Sequence, residues 1–171
     1  YNAQFKDGSF EVMNINASGA IDFPLQSSAS IYASGDMSFT ERYGYDTPKT
    51  ITYDTEAYDI QSEFNTTNNT LTLTKAGIYY ISFKAAITPG DSDTNVFMAQ
   101  IRNATGVMQS ARKTISNLSD HTYGYISVCG MFNIVTVPYS ITFCIAIYNG
   151  STSSTVESGQ TKTYAFYRKI T

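Results

Sequence analysis

The sequence predicts an all-β chain, a sandwich or barrel of many short strands, on three observations. Apolar residues recur with a period of two: Leu71 and Leu73 alternate with threonines, and Tyr79, Ile81, Phe83, Ala85 and Ile87 keep that period over a longer run. Charged residues are only 15% of the chain, and the abundant Thr, Ser, Asn and Tyr favour pleated structure over helix. No window of the 171 residues carries a sustained 3.6-residue apolar stripe. A chain of this length suits one domain with interior enough to stand without staples.

Residues 1–28 read differently from the rest. Phe5, Phe10, Val12, Ile15, Ile21 and Phe23 sit in short alternating pieces broken at Gly8 and Gly19, and such pieces bury little by themselves. They are similar to the repeats of trimeric viral fibre shafts. The equally weighted alternative is an extra strand pair packed on the domain that follows. Pro24 and Ser27-Ser28 mark the boundary, so residues 1–28 are expected to form a shaft or neck, or that extra strand pair, and residues 29–171 a head. The chain begins mid-pattern at Tyr1 without a signal-peptide pattern, and is expected to be a fragment or a processed form.

Within the head, strands are expected at 30–33, 37–39, 49–53, 71–74 and 78–88, then at 96–103, 123–135, 140–148 and 161–169. Turn chemistry separates them at 45–48, 89–91, 104–106, 137–138 and 149–150, where Pro, Gly, Asn and Asp cluster. The strand at 71–74 is expected to fold back at Lys75-Ala76-Gly77, because glycine takes backbone angles closed to other residues.

The run Gly77-Ile78-Tyr79-Tyr80-Ile81-Ser82-Phe83 resembles the central motif of the complement C1q and tumour-necrosis-factor jelly-roll heads, in particular the C1q-like modules of bacteria and phages. Tyr164-Ala165-Phe166-Tyr167 is similar to the family's aromatic C-terminal strand, and residues 101–107 to its polar turn. The likeness spans roughly residues 29–171, with Leu71 where the family usually has Phe. It implies a jelly-roll β-sandwich of the C1q/TNF-like type, homotrimeric, with Gly77, Tyr79, Ile81 and Phe83 as its core motif. The family's packing around a threefold axis gives meaning to the second strand faces. Tyr80, Tyr123, Tyr125 and Met131 stand there, and Tyr167 is added from the last strand; a solvated sheet face would be mostly polar. These five are the expected trimer interface.

Cys129 and Cys144 alternate with the core sets Ile126, Val128, Phe132, Ile134 and Ile141, Phe143, Ile145, Ile147, so both point outward. The family topology puts their strands in opposite sheets, where the thiols point apart, and free thiols are expected over a bridge.

Catalytic constellations are thin. The single histidine, His121 beside Asp120, has no nucleophile-elbow sequence to serve, which argues against a hydrolytic triad. No two acids are singled out as a glycosidase pair. Asp91, Asp93 and Asn95 open like a calcium loop, but Val96 replaces the turn glycine and Arg102 the bidentate acid. A polar loop is expected there, with calcium as the lesser alternative and no other cofactor. The acceptor patterns at Asn16, Asn65, Asn68, Asn103, Asn117 and Asn149 are ascribed to chance in so Asn- and Thr-rich a chain. Net charge is −3 and the densest basic patch is Arg102, Arg112 and Lys113, too little for phosphate-dominated binding, so nucleic acid is not an expected partner. No apolar span is long enough to cross a bilayer, so no membrane insertion is expected.

The expected function is therefore non-enzymatic: a homotrimeric attachment or structural head of a virion fibre or bacterial surface protein. It would bind a host-surface glycan or protein, from the virion surface, the bacterial cell surface or the extracellular space. The alternatives are a secreted trimeric ligand that clusters a receptor and a fibre-borne glycan depolymerase. The loops at Tyr43-Gly44-Tyr45, 91–95 and 151–158 are where a ligand would first be sought.

Overall fold

A computed structural model describes residues 3–7, 10–15, 21–22, 27–44, 46–90, 94–116, 123–149 and 153–170. At the start, β1 (Ala3–Asp7), β2 (Phe10–Ile15) and β3 (Ile21–Asp22) make an antiparallel sheet in the order β1-β2-β3.

The head is a sandwich of two antiparallel sheets. Its strands are β4 (Ser28–Tyr32), β5 (Met37–Phe39), β6 (Lys49–Thr50), β7 (Thr55–Asp59), β8 (Phe64–Asn65) and β9 (Thr70–Leu73). The long strands follow: β10 (Gly77–Thr88), β11 (Thr94–Asn103), β12 (Gly106–Ser116), β13 (Gly124–Ile134) and β14 (Tyr139–Asn149). Two more, β15 (Ser154–Glu157) and β16 (Tyr164–Lys169), complete it.

The first sheet is built on β10. β13 pairs with residues 77–87 of it on one edge; β16 and then β15 pair on the other, and β4, β7 and β5 extend from these. The second sheet runs β12-β11-β14-β9-β8, with β6 also on β14. The chain thus crosses between sheets repeatedly, as in a jelly roll.

Leu71 and Leu73 from the second sheet face Tyr79, Ile81, Phe83, Ala85 and Ile87 from the first, all of them buried. Lys75-Ala76-Gly77 therefore carries the chain from one sheet to the other; β9 and β10 do not form the hairpin that the fold-back suggested. The core also holds Ile126, Val128 and Ile134 from β13 and Ile141, Phe143, Ile145 and Ile147 from β14. Phe83 meets Phe143 edge to face across the sandwich at 5.4 Å, which interlocks the two layers.

Several boundaries differ from the sequence reading. The expected strand at 49–53 shrinks to Lys49–Thr50, although Ile51 and Tyr53 still face inward. The 161–169 strand starts only at Tyr164, after a turn in which Lys162 and Thr163 both donate to the Gly159 carbonyl. The 151–158 segment holds a strand, β15, with Ser154 and Val156 buried. The 11-residue β12 was not anticipated. It forms a sheet edge, where Arg112 and Lys113 are at home, and its weak alternation hid it. Its hairpin with β11 turns on Asn103, whose Oδ1 accepts from Thr105 N and Gly106 N at 2.9 Å, and on Gly106 at φ 145°.

Candidate functional site

The most distinctive surface is the outer face of the first sheet. Alternation turns Tyr80, Ser82 and Lys84 of β10 away from the core that Tyr79, Ile81 and Phe83 enter. Register then sets Tyr80 opposite Met131, Ser82 opposite Cys129 and Lys84 opposite Ser127 on β13. On the other side Arg168, Phe166 and Tyr164 of β16 stand beside the same three residues. Tyr80 is 36% exposed, Tyr125 42% and Met131 67%, so three large apolar side chains of this one face are left to solvent.

The rings on this face are already ordered. Tyr123 and Tyr125 stack edge to face at 5.4 Å, and Tyr80 lies 6.4 Å from Phe166. Lys84 Nζ sits 4.0 Å from the Tyr125 ring centroid and 5.4 Å from that of Tyr164. Lys162 Nζ lies 4.7 Å from the Tyr123 ring. Two ammonium groups thus hold three tyrosines through their ring faces. A shallow groove of about 230 Å³ runs between β10 and β13, lined by Tyr80, Ser82, Lys84, Cys129 and Tyr164 among others. The Cys129 thiol first, and burial second, push the Tyr80 phenol above its ordinary value. Tyr123 does the same for Tyr125. Both remain neutral phenols near neutral pH, suited to burial against another surface.

The structure brings Tyr80, Tyr123, Tyr125 and Met131 together on this face. Tyr167 is a correction. It is 1% exposed, faces the core opposite Ile81, and donates from its hydroxyl to Asp59 Oδ1 at 3.2 Å. Burial, and then the Asp59 charge, hold its phenol far above the usual range. Aromatics on both faces of 164–167 left the parity open in sequence; the register with β10 assigns Phe166 and Tyr164 to the outside instead. Lys84, Tyr164 and Phe166 were the residues missed, although continuing the alternation from Tyr80 would have reached Lys84.

The core-motif residues Tyr79, Ile81 and Phe83 are buried, with Gly77 at φ 150° where the chain enters β10. Cys129 is exposed on the first sheet and Cys144 buried in the second, both free, on opposite sheets as the family resemblance implied. Cys144 does face away from the core, but neighbouring groups cover it: Thr50 Oγ1 lies 3.8 Å from its sulfur. Asp91, Asp93, Asp120 and His121 lie outside the described residues. Asn95 belongs to β11 and is buried. Among the described residues no three His, Cys, Asp or Glu side chains gather as a metal site would require. No helix long and apolar enough to cross a membrane occurs among them either.

Neither a family model nor a curated protein matches the sequence. Solved structures do. Murine APRIL at pH 5.0 is 12% identical, with a TM-score of 0.59 over 85% of this chain and 99% of that one. Murine APRIL at pH 8.5 gives 12% identity and a TM-score of 0.57 over the same shares. The globular domain of zebrafish complement 1qA protein is 14% identical, with a TM-score of 0.48 over 85% of this chain and 98% of that one. At such identities the APRIL likeness speaks to the fold alone. The fold is a jelly roll of the C1q/TNF-like type.

Proposed function

We propose that this chain is the non-enzymatic head of a homotrimeric attachment or surface structure, carried on a virion fibre or a bacterial surface and holding a host-surface glycan or protein. The observation that supports this most is the outer face of the first sheet, where Tyr80, Tyr125 and Met131 stay exposed beside ordered tyrosines. In the family that the 77–83 motif resembles, the equivalent sheet closes around a threefold axis. Burying one such side chain contributes about 2 kcal/mol per copy, so three per copy favour a permanent assembly. Tyrosine suits the role because its ring buries area while its hydroxyl finds a partner. Three copies on one stalk would multiply weak surface contacts by avidity.

The test is sedimentation of the wild type and of the double variant Tyr125→Glu with Met131→Glu. A trimer at micromolar concentration is expected for the wild type, and a monomer with unchanged far-ultraviolet dichroism for the variant. A wild-type monomer, or a variant that stays trimeric, overturns the reading. Incubation with surface polysaccharide separates attachment from depolymerisation, since release of reducing ends would mean an enzyme. Receptor-dependent signalling by the trimer alone would favour the secreted ligand.

A further inference from the structure

A polar cleft of about 430 Å³ lies on the second sheet, away from the tyrosine face, lined by Tyr43, Gly44, Asp46, Thr47, Pro48 and Arg102. We propose that it is a saccharide-binding site, an inference that deepens the attachment reading and rests on it.

The cleft is firmly built. Asp46 N donates to the Arg42 carbonyl at 2.9 Å, and Arg42 N donates back to Asp46 Oδ2 at 2.9 Å, closing the loop at its base. Tyr43 N donates to the Ile147 carbonyl at 2.8 Å, fastening the loop to β14. Gly44, at φ 85°, makes the turn that a side chain would strain. On the face of β11 and β14 that carries Arg102, Met98, Gln100, Cys144 and Ala146 point away from the core yet are buried. Buried Gln100 accepts from Arg102 Nη1 at 2.8 Å through Oε1, which orients the guanidinium at the cleft wall.

The chemistry of the lining selects the ligand. Tyr43, 37% exposed, is backed by Tyr148 at 5.6 Å, and the Arg112 guanidinium lies 3.8 Å from the Tyr148 ring. A braced aromatic ring offers a platform for the C–H face of a pyranose. The Asp46 carboxylate accepts and the Arg102 fork donates, which is the pairing that sugar hydroxyls satisfy, being donors and acceptors at once. A phosphate ligand would meet Asp46 as a like charge, and an apolar ligand would desolvate both ions. The volume falls within the range of small-ligand sites, about 300–1,000 Å³. Closing the tyrosine face of the first sheet would leave this cleft open, once per copy.

The test is an array of immobilised neutral, N-acetylated and sialylated oligosaccharides, probed with the wild type, Tyr43→Ala, Arg102→Ala and the control Val135→Ser. Binding by the wild type and control is expected, with a loss of about tenfold or more in both cleft variants while assembly is unchanged. Should Arg102→Ala fail to fold, Arg102→Lys keeps the charge, removes the fork and is expected to bind about tenfold more weakly. Saccharide binding that survives in both cleft variants overturns the inference and leaves attachment standing. So does cell binding without any array signal, abolished by protease treatment of the cells, which would point to a protein receptor. A head that binds neither cells nor saccharides sinks both readings.

Discussion

Replacing Tyr53 with phenylalanine should raise the stability of the sandwich. Tyr53 is wholly buried, with its ring edge to face against Phe143 at 5.7 Å and Phe64 at 6.3 Å. Its hydroxyl finds no hydrogen-bond partner among the described residues. Burial, and secondarily Cys144, push the phenol well above its usual value, so it stays neutral and ionisation brings no relief. A buried hydroxyl without a partner costs about 1–3 kcal/mol. Removing one oxygen keeps both ring contacts and leaves a void worth a few tenths of a kcal/mol. The net gain is about 1 kcal/mol, or about 2–4 °C in Tm for a chain of this size. Thermal melts of both proteins at one protomer concentration measure it, since the stability of an assembly depends on concentration. A loss of about 1 kcal/mol or more would refute the reasoning, because it would mean that the hydroxyl is bonded.

The opposite result is expected at Glu63, a buried carboxylate that accepts from Thr74 N and Thr74 Oγ1 at 2.8 Å each and from Ser27 Oγ. Glu63→Ala leaves these donors without their acceptor and should cost about 3 kcal/mol in urea unfolding; a loss under about 1 kcal/mol would contradict the network. In the monomeric variant Tyr125→Glu with Met131→Glu, iodoacetamide should label Cys129 long before Cys144, whose thiol burial pushes up, and the wild-type trimer should slow Cys129; equal rates for the two thiols in the variant argue against this placement. Two exposed aspartates give a pH signature. The backbone and side chain of Ser158 hold Asp36 below its ordinary value, and the Ser34 hydroxyl and N–H, each at 2.7 Å, outweigh the burial that would raise Asp54. A depressed folded-state pKa contributes stability above the unfolded value of about 3.9 and loses it as pH falls through the folded value. Asp36→Asn and Asp54→Asn should therefore each lower stability at pH 7 by about a few tenths of a kcal/mol, with the deficit fading toward pH 2. A deficit independent of pH would show that charge is not its source.

The aromatic side chains illustrate how far sequence reaches. That Tyr79, Ile81 and Phe83 enter a core while Tyr80 leaves it follows from the pleat, in which neighbouring side chains point to opposite faces. The same local rule places Ile126, Val128 and Ile134 inside and Tyr125 and Met131 outside. Where both faces of a strand carry apolar residues, as at 164–167, the rule has nothing to choose by, and Tyr167 was assigned outward although it belongs to the core. β12 was lost for a related reason, because an edge strand needs little apolar alternation to be held by one neighbour.

The sequence by itself therefore determined the strand periods, the turn at 104–106, the inward sets of the long strands and the C1q/TNF-like likeness of the 77–83 motif. Only the tertiary structure decided which sheet each strand joined, that Lys75-Ala76-Gly77 crosses between layers, and that Tyr43 and Arg102 line one cleft. The physical reason is range. Alternation is fixed by the backbone geometry of adjacent residues, whereas pairing and cleft formation depend on contacts between segments distant in the chain, whose closure entropy only the whole packed sandwich offsets.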